Sequence, residues 1–83
     1  MKEEVEKFSK VFSLSPRETE IFGLLASRVT TIKEIGQRLG SSPNTVNNQF
    51  KAIFGKTKTN CKSELLGLFL AQLLDKGDRP RPP

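Results

Sequence analysis

The stretch Ser41–Phe54, SSPNTVNNQFKAIF, decides the fold. Ser42 is a good helix N-cap, because its hydroxyl oxygen can accept from a free backbone N–H of the first turn. Pro43 follows at the first helical position, where its missing N–H costs nothing. Val46, Phe50 and Ile53 then have the spacing of a buried stripe, with Phe54 beside it. Asn47, Asn48 and Gln49 come in a row. Asparagine is a mediocre helix former, so two together near a helix start ask for a reason. Readout of base edges is one, since Asn and Gln pair bidentately with adenine N6 and N7 in the major groove. Ordinary surface amides are the plain alternative.

Upstream, Thr31-Ile32-Lys33-Glu34 has the form of a capping box. It opens a short helix through Leu39, with Ile32, Ile35 and Leu39 inward. Gly40 ends that helix, as Gly prefers just past a helix end. Two short helices joined around Gly40 make a helix-turn-helix, in which the second helix enters the major groove.

Working outward, Ser15-Pro16-Arg17-Glu18 is another capping box. These residues are explained by capping rather than catalysis. The helix they open runs to about Ser27, with Ile21, Phe22, Leu24 and Leu25 apolar. Val29 and Thr30 belong to a turn. Lys2–Phe12 places Val5, Phe8 and Phe12 on one face with Val11 beside them. It reads as a short helix or as the end of a linker from an upstream domain. Gly55 is either a helix stop or an internal weakness, and Lys56–Asn60 a basic loop or a frayed last turn. A final helix runs from about Lys62 to Asp75, capped by Asn60 or Cys61. Residues 77–83 are Pro-rich and charged, the composition of a disordered tail. The expected organisation is a short N-terminal helix or linker over 1–13, a domain over 14–75, and a tail over 76–83. The fold class is all-α, a compact four-helix helix-turn-helix domain with the N-terminal helix as an extra element.

Eighty-three residues suffice for one small domain. The net charge of +5 is unevenly spread. From Ile35 to Ser63 there is no Asp or Glu, yet Arg38, Lys51, Lys56, Lys58 and Lys62 fall there. Glu3, Glu4, Glu6, Glu18 and Glu20 lie in the N-terminal part. One basic half points to an anionic partner, most simply nucleic acid; a solvated lysine surface is the alternative. The chain has no His and a single Cys, Cys61. That excludes zinc fingers, an intramolecular disulfide and any Ser-His or Cys-His nucleophile. No enzyme activity, cofactor or metal is expected. The start, MKEEVEKFSKVF, is acidic where a signal peptide is basic, and no apolar run approaches a membrane span. A soluble protein of the reducing cytoplasm is expected, acting at the nucleoid.

LSPRETEIFGLLA, TIKEIGQRL, SPNTV and KSELLGLFLA, in that order, resemble the LuxR/FixJ/GerE type of bacterial DNA-binding domain. The likeness spans about Leu14 to Leu74. It implies a four-helix domain whose third helix reads DNA and whose fourth often makes the dimer contact. By position, the resemblance places Asn47, Asn48 and Lys51 on bases. Lys33, Asn44, Thr45, Gln49, Lys58 and Lys62 fall toward phosphates. There are departures. Asn47 stands where Lys or Arg is usual, Gln49 replaces a frequent His, and Gly55 replaces a usually charged residue. Thr57-Lys58 replaces a common Leu-Gly. Gly36 replaces a common Ala, a form shared with region 4 of sigma factors.

The last helix carries more leucines than one core stripe needs. Leu65, Leu66, Phe69, Leu70 and Leu73 are therefore expected at a homodimer interface, unless the Lys2–Phe12 helix covers them. The expected function is sequence-specific binding of double-stranded DNA in transcriptional control. The rival is a protein-interaction module docking on another regulator or on RNA polymerase through the last helix.

Overall fold

Ser15, Thr31 and Ser42 lie in extended backbone, and each turns its hydroxyl oxygen onto the N–H three residues on. These caps begin α2 (Pro16–Ala26), α3 (Ile32–Leu39) and α4 (Pro43–Thr57) in the computed structural model, which describes residues 2–75. α1 (Lys2–Phe12) precedes them and α5 (Lys62–Asp75) follows, with no strand among the described residues. The tail expected over 76–83 lies outside the described residues. At Ser15 the capping box closes: the Ser15 N–H donates to Glu18 Oε1 at 2.8 Å, and the Glu18 N–H to Ser15 Oγ at 3.2 Å. The second expected box is only half formed. Thr31 Oγ1 accepts from the Glu34 N–H at 3.2 Å, but the Glu34 carboxylate faces Arg38 at 3.6 Å. Cys61 starts α5, its carbonyl accepting from the Leu65 N–H at 3.0 Å.

The helices stop as uniformly as they start. Ser13, Arg28, Gly40 and Lys58 follow α1 to α4 in the left-handed region. The next residue in each case donates back across the helix end: Leu14 to Ser9, Val29 to Leu24, Ser41 to Gly36 and Thr59 to Phe54, all at 2.9–3.0 Å. α4 therefore runs past Phe54 and carries Gly55 inside it, and the basic segment from Lys56 is helical as far as Thr57.

Lys2–Phe12 is not a linker. Val5 and Phe8 are buried, and Phe8 stacks on Phe22 at 4.6 Å between ring centres. Phe69 meets both rings edge-on, at 5.5 and 5.0 Å. Val11, expected beside this face, is instead 62% exposed. The core continues through Ile21, Leu25, Ile35, Val46, Phe50 and Ile53. Leu65 and Phe69 belong to it too, at 0% and 5% exposure. This corrects the expectation that they meet a second chain: a side chain closed off within its own fold has no surface to offer.

Two contacts fix the helix arrangement. At Gly36, a Cβ would lie 2.5 Å from the Ser41 carbonyl oxygen and 3.6 Å from Val46 Cγ2. With a Cβ at residue 36, the turn and α3 would have to move apart. At the other end of α4, Lys56 Nζ donates to Glu18 Oε1 at 2.7 Å and to the Ser13 carbonyl at 3.2 Å. It ties α4 to the junction of α1 and α2. Burial alone would raise the Glu18 pKa. The bonds from Lys56 and Ser15 outweigh it and hold the carboxyl below its ordinary value.

Gly36→Ala should destabilise the domain by about 1–3 kcal/mol in denaturant titration, as an overpacked contact with backbone that cannot step aside. Glu18→Gln should cost about 1 kcal/mol at pH 7. A depressed folded-state pKa contributes stability above the unfolded value of 4.5 and loses it as pH falls through the folded value. The gap between Glu18→Gln and wild type should therefore narrow below about pH 4.5; a gap constant down to acid pH would refute the assignment.

Candidate nucleic-acid interface

α3 and α4 are joined by Gly40, Ser41 and Ser42. Gly40 takes φ +67°, and the Ser41 N–H closes onto the Gly36 carbonyl. Gly40 serves this turn by its backbone conformation and Gly36 by the space it leaves. α4 then packs Val46, Phe50, Ile53 and Thr57 inward. The opposite row of the helix is fully exposed and consists of Asn44, Asn48, Lys51 and Gly55.

The expected reading residues fall around that row unequally. Asn48 and Lys51 are in it. Asn47 is exposed but sits to one side, in line with Lys51 and Lys58 at helical spacing. Gln49 lies on the other flank, half-buried, in line with Thr45. Among the described residues, the side chains of Asn44, Asn47, Asn48 and Lys51 have no hydrogen-bond or ion-pair partner. The three consecutive amides thus do not form one surface, because neighbouring residues on a helix point about 100° apart.

Thr45 is held in place. Ser42 Oγ donates to Thr45 Oγ1 at 3.0 Å and accepts from the Thr45 N–H at 3.2 Å. The Thr45 hydroxyl keeps its own proton for an acceptor outside the fold. Lys33 is exposed on the first turn of α3, and Lys58 is exposed just beyond the end of α4. No carboxylate interrupts the α4 surface. Glu34 is occupied by Arg38, and Glu64 Oε1 accepts the Asn60 N–H at 2.7 Å.

Two lysines of the basic half have structural partners that local sequence does not reveal. Lys56 is bound to Glu18 and Ser13, as above. Lys62 is half-buried; its Nζ donates to the Thr30 carbonyl at 2.7 Å and lies 5.6 Å from the centre of the Phe50 ring. It ties the start of α5 to the turn before α3. Their hydrogen-bond partners, Glu18, Ser13 and Thr30, are all more than thirty residues away in sequence. Asn44, expected toward phosphates, and Gly55, not expected at the interface, stand in line with Asn48 and Lys51 on α4.

A second surface lies on α5. Leu70 and Leu74 are 56% and 50% exposed. Ser63, Gly67 and Ala71 share that side, and Leu66 and Leu73 flank it half-buried. Among the described residues there is no group of His, Cys, Asp and Glu suited to a metal ion, and no helix is long and apolar enough to cross a membrane.

The family model for bacterial regulatory proteins of the luxR family matches residues 12–69, from the last residue of α1 into the middle of α5. No curated protein and no solved structure gave a significant match. The match covers well over half of the chain and contains the whole of α2, α3 and α4 with their caps. The chain belongs to the luxR family of bacterial regulatory proteins, DNA-binding regulators of transcription, and α3 and α4 form its helix-turn-helix.

Proposed function

We propose that this protein binds specific operator sequences by laying α4 in the major groove, and that it does so as a dimer through α5. One observation carries the reading. The outer surface of α4 presents unpartnered amide and ammonium groups, and the helix itself contains no carboxylate. Asn48 favours adenine and Lys51 guanine, with Asn47 beside them toward one wall of the groove. Lys33, Thr45, Gln49 and Lys58 hold phosphates and set register without carrying sequence information themselves. Lys62 serves first by fixing the turn ahead of α3, with its remaining N–H groups directed to the backbone. The place of action is the cytoplasmic nucleoid.

The dimer surface consists of Leu66, Leu70, Leu73 and Leu74, and the small residues Gly67 and Ala71 between them allow close helix approach. A two-fold dimer calls for an inverted repeat with half-sites about one helical turn apart. Those same leucines favour the second reading, a module that docks on another regulator or on RNA polymerase. Asn47, where a basic residue is usual in the resemblance, points the same way.

Selection from a random duplex pool separates the two: an enriched inverted repeat containing an A·T pair is expected, and no retention of DNA at low salt would favour docking. Lys51→Ala should cost about 1–3 kcal/mol on the preferred site and relax one base position; an equal loss on every sequence would make Lys51 a phosphate contact. Lys58→Gly should have opposite effects on stability and binding. It relieves a side chain held at φ +57° and so should stabilise the free domain by about 1 kcal/mol. Binding should weaken uniformly, with the salt slope reduced by about one. Leu70→Asp with Leu74→Asp should leave the fold intact and reduce the mass in solution to that of one chain.

A further inference from the structure

Two residues on the outer row of α4 are poor helix formers for which the free protein shows no structural need. Asn44 lies in the first turn, but Ser42 already caps the helix, and the Asn44 side chain has no partner among the described residues. Gly55 lies in the last turns, and a Cβ there would meet nothing within 4 Å. Its φ is not positive, so neither packing nor backbone conformation requires a glycine. At Gly55 alanine would favour the helix. Asn44 and Gly55 lie in the same row as Asn48 and Lys51, at i, i+4, i+7 and i+11.

We infer that Asn44 is a second adenine-reading side chain, and that Gly55 is a clearance position where the bare helix backbone comes within van der Waals contact of the DNA. The inference rests on the proposed reading of the major groove by α4. Asn44 belongs with the bases rather than the phosphates because of its row. The row farthest from Val46, Phe50 and Ile53 faces the groove floor, while the flanks carrying Asn47 and Gln49 face its walls. The N-terminal residues of a recognition helix are also the ones that reach base edges. Asn44 and Asn48 are separated by about 6 Å along the axis, close to two base steps of about 3.4 Å each. A half-site should therefore require two A·T pairs near one another, with the Lys51 guanine beyond them. At Gly55 any side chain would hold the end of α4 away from the duplex.

The test is selection from a random duplex pool with the full chain and its Asn44→Ala and Gly55→Ala variants, followed by titration on the wild-type site. Asn44→Ala should keep the rest of the site, lose one A·T requirement, and bind the wild-type site about 5- to 150-fold more weakly. A uniform loss on all sequences, or an unchanged site, would overturn its role. Gly55→Ala should melt at a higher temperature than wild type yet bind every duplex more weakly; unchanged affinity would overturn the clearance. If the wild-type chain itself enriches no sequence, the proposed function fails, and this inference with it.

Discussion

The close approach of Ser41 to Gly36 is the constraint on which the rest depends. A helix-turn-helix works only if its second helix leaves the first at a fixed angle, and here that angle is set within a few residues. The Ser41 carbonyl occupies the space that a side chain on residue 36 would fill. Gly40 supplies the left-handed turn, and Ser42 starts α4 at once. Val46 then reaches back to the same spot on α3, so the turn and the first core contact of α4 hold each other in place. Every outward residue of α4 inherits its direction from that junction.

The positive charge of the domain is divided between two tasks. Lys56 and Lys62 are structural ties, and their partners are Glu18, Ser13, Thr30 and Phe50. They hold the two ends of the helix-turn-helix against α2 and α5. Lys51, Lys33 and Lys58 stay exposed. Net charge alone cannot make this division, because a lysine next to a loop looks the same whether it reaches inward or outward. The distinction also bears on interpreting variants: loss of Lys56 changes the frame that presents α4, whereas loss of Lys51 leaves the frame and removes a group from its surface.

What was legible in the sequence follows from the range of the forces involved. Ser15, Thr31 and Ser42 were readable as helix starts because a cap acts over three residues. Gly40 was readable as a stop for the same reason. The motif order then named the family. The Glu34 side of the second box was not readable, since Arg38 competes for the same carboxylate from one turn away. Nor was the packing of α1, which depends on Phe8 meeting Phe22 and Phe69 across the whole chain. Leucine-richness in α5 predicted an excess of apolar surface, but not how it divides. Leu65 and Phe69 go inward and Leu70 and Leu74 outward, according to where α1 lies. On α4 the residue types singled out the helix and Ser42-Pro43 marked its start, whereas the place of Gly55 on its outer row needed its true length.

Phe8 has a consequence for how this domain can be moved between proteins. The family boundary falls at residue 12, yet the ring that closes the far side of the core sits four residues before it. A helix-turn-helix cassette cut at that boundary would leave Phe22 and Phe69 without the Phe8 ring. A transferable unit has to begin at α1. Because α1 is built into the core, anything fused ahead of it would be joined to a packed helix of the helix-turn-helix domain.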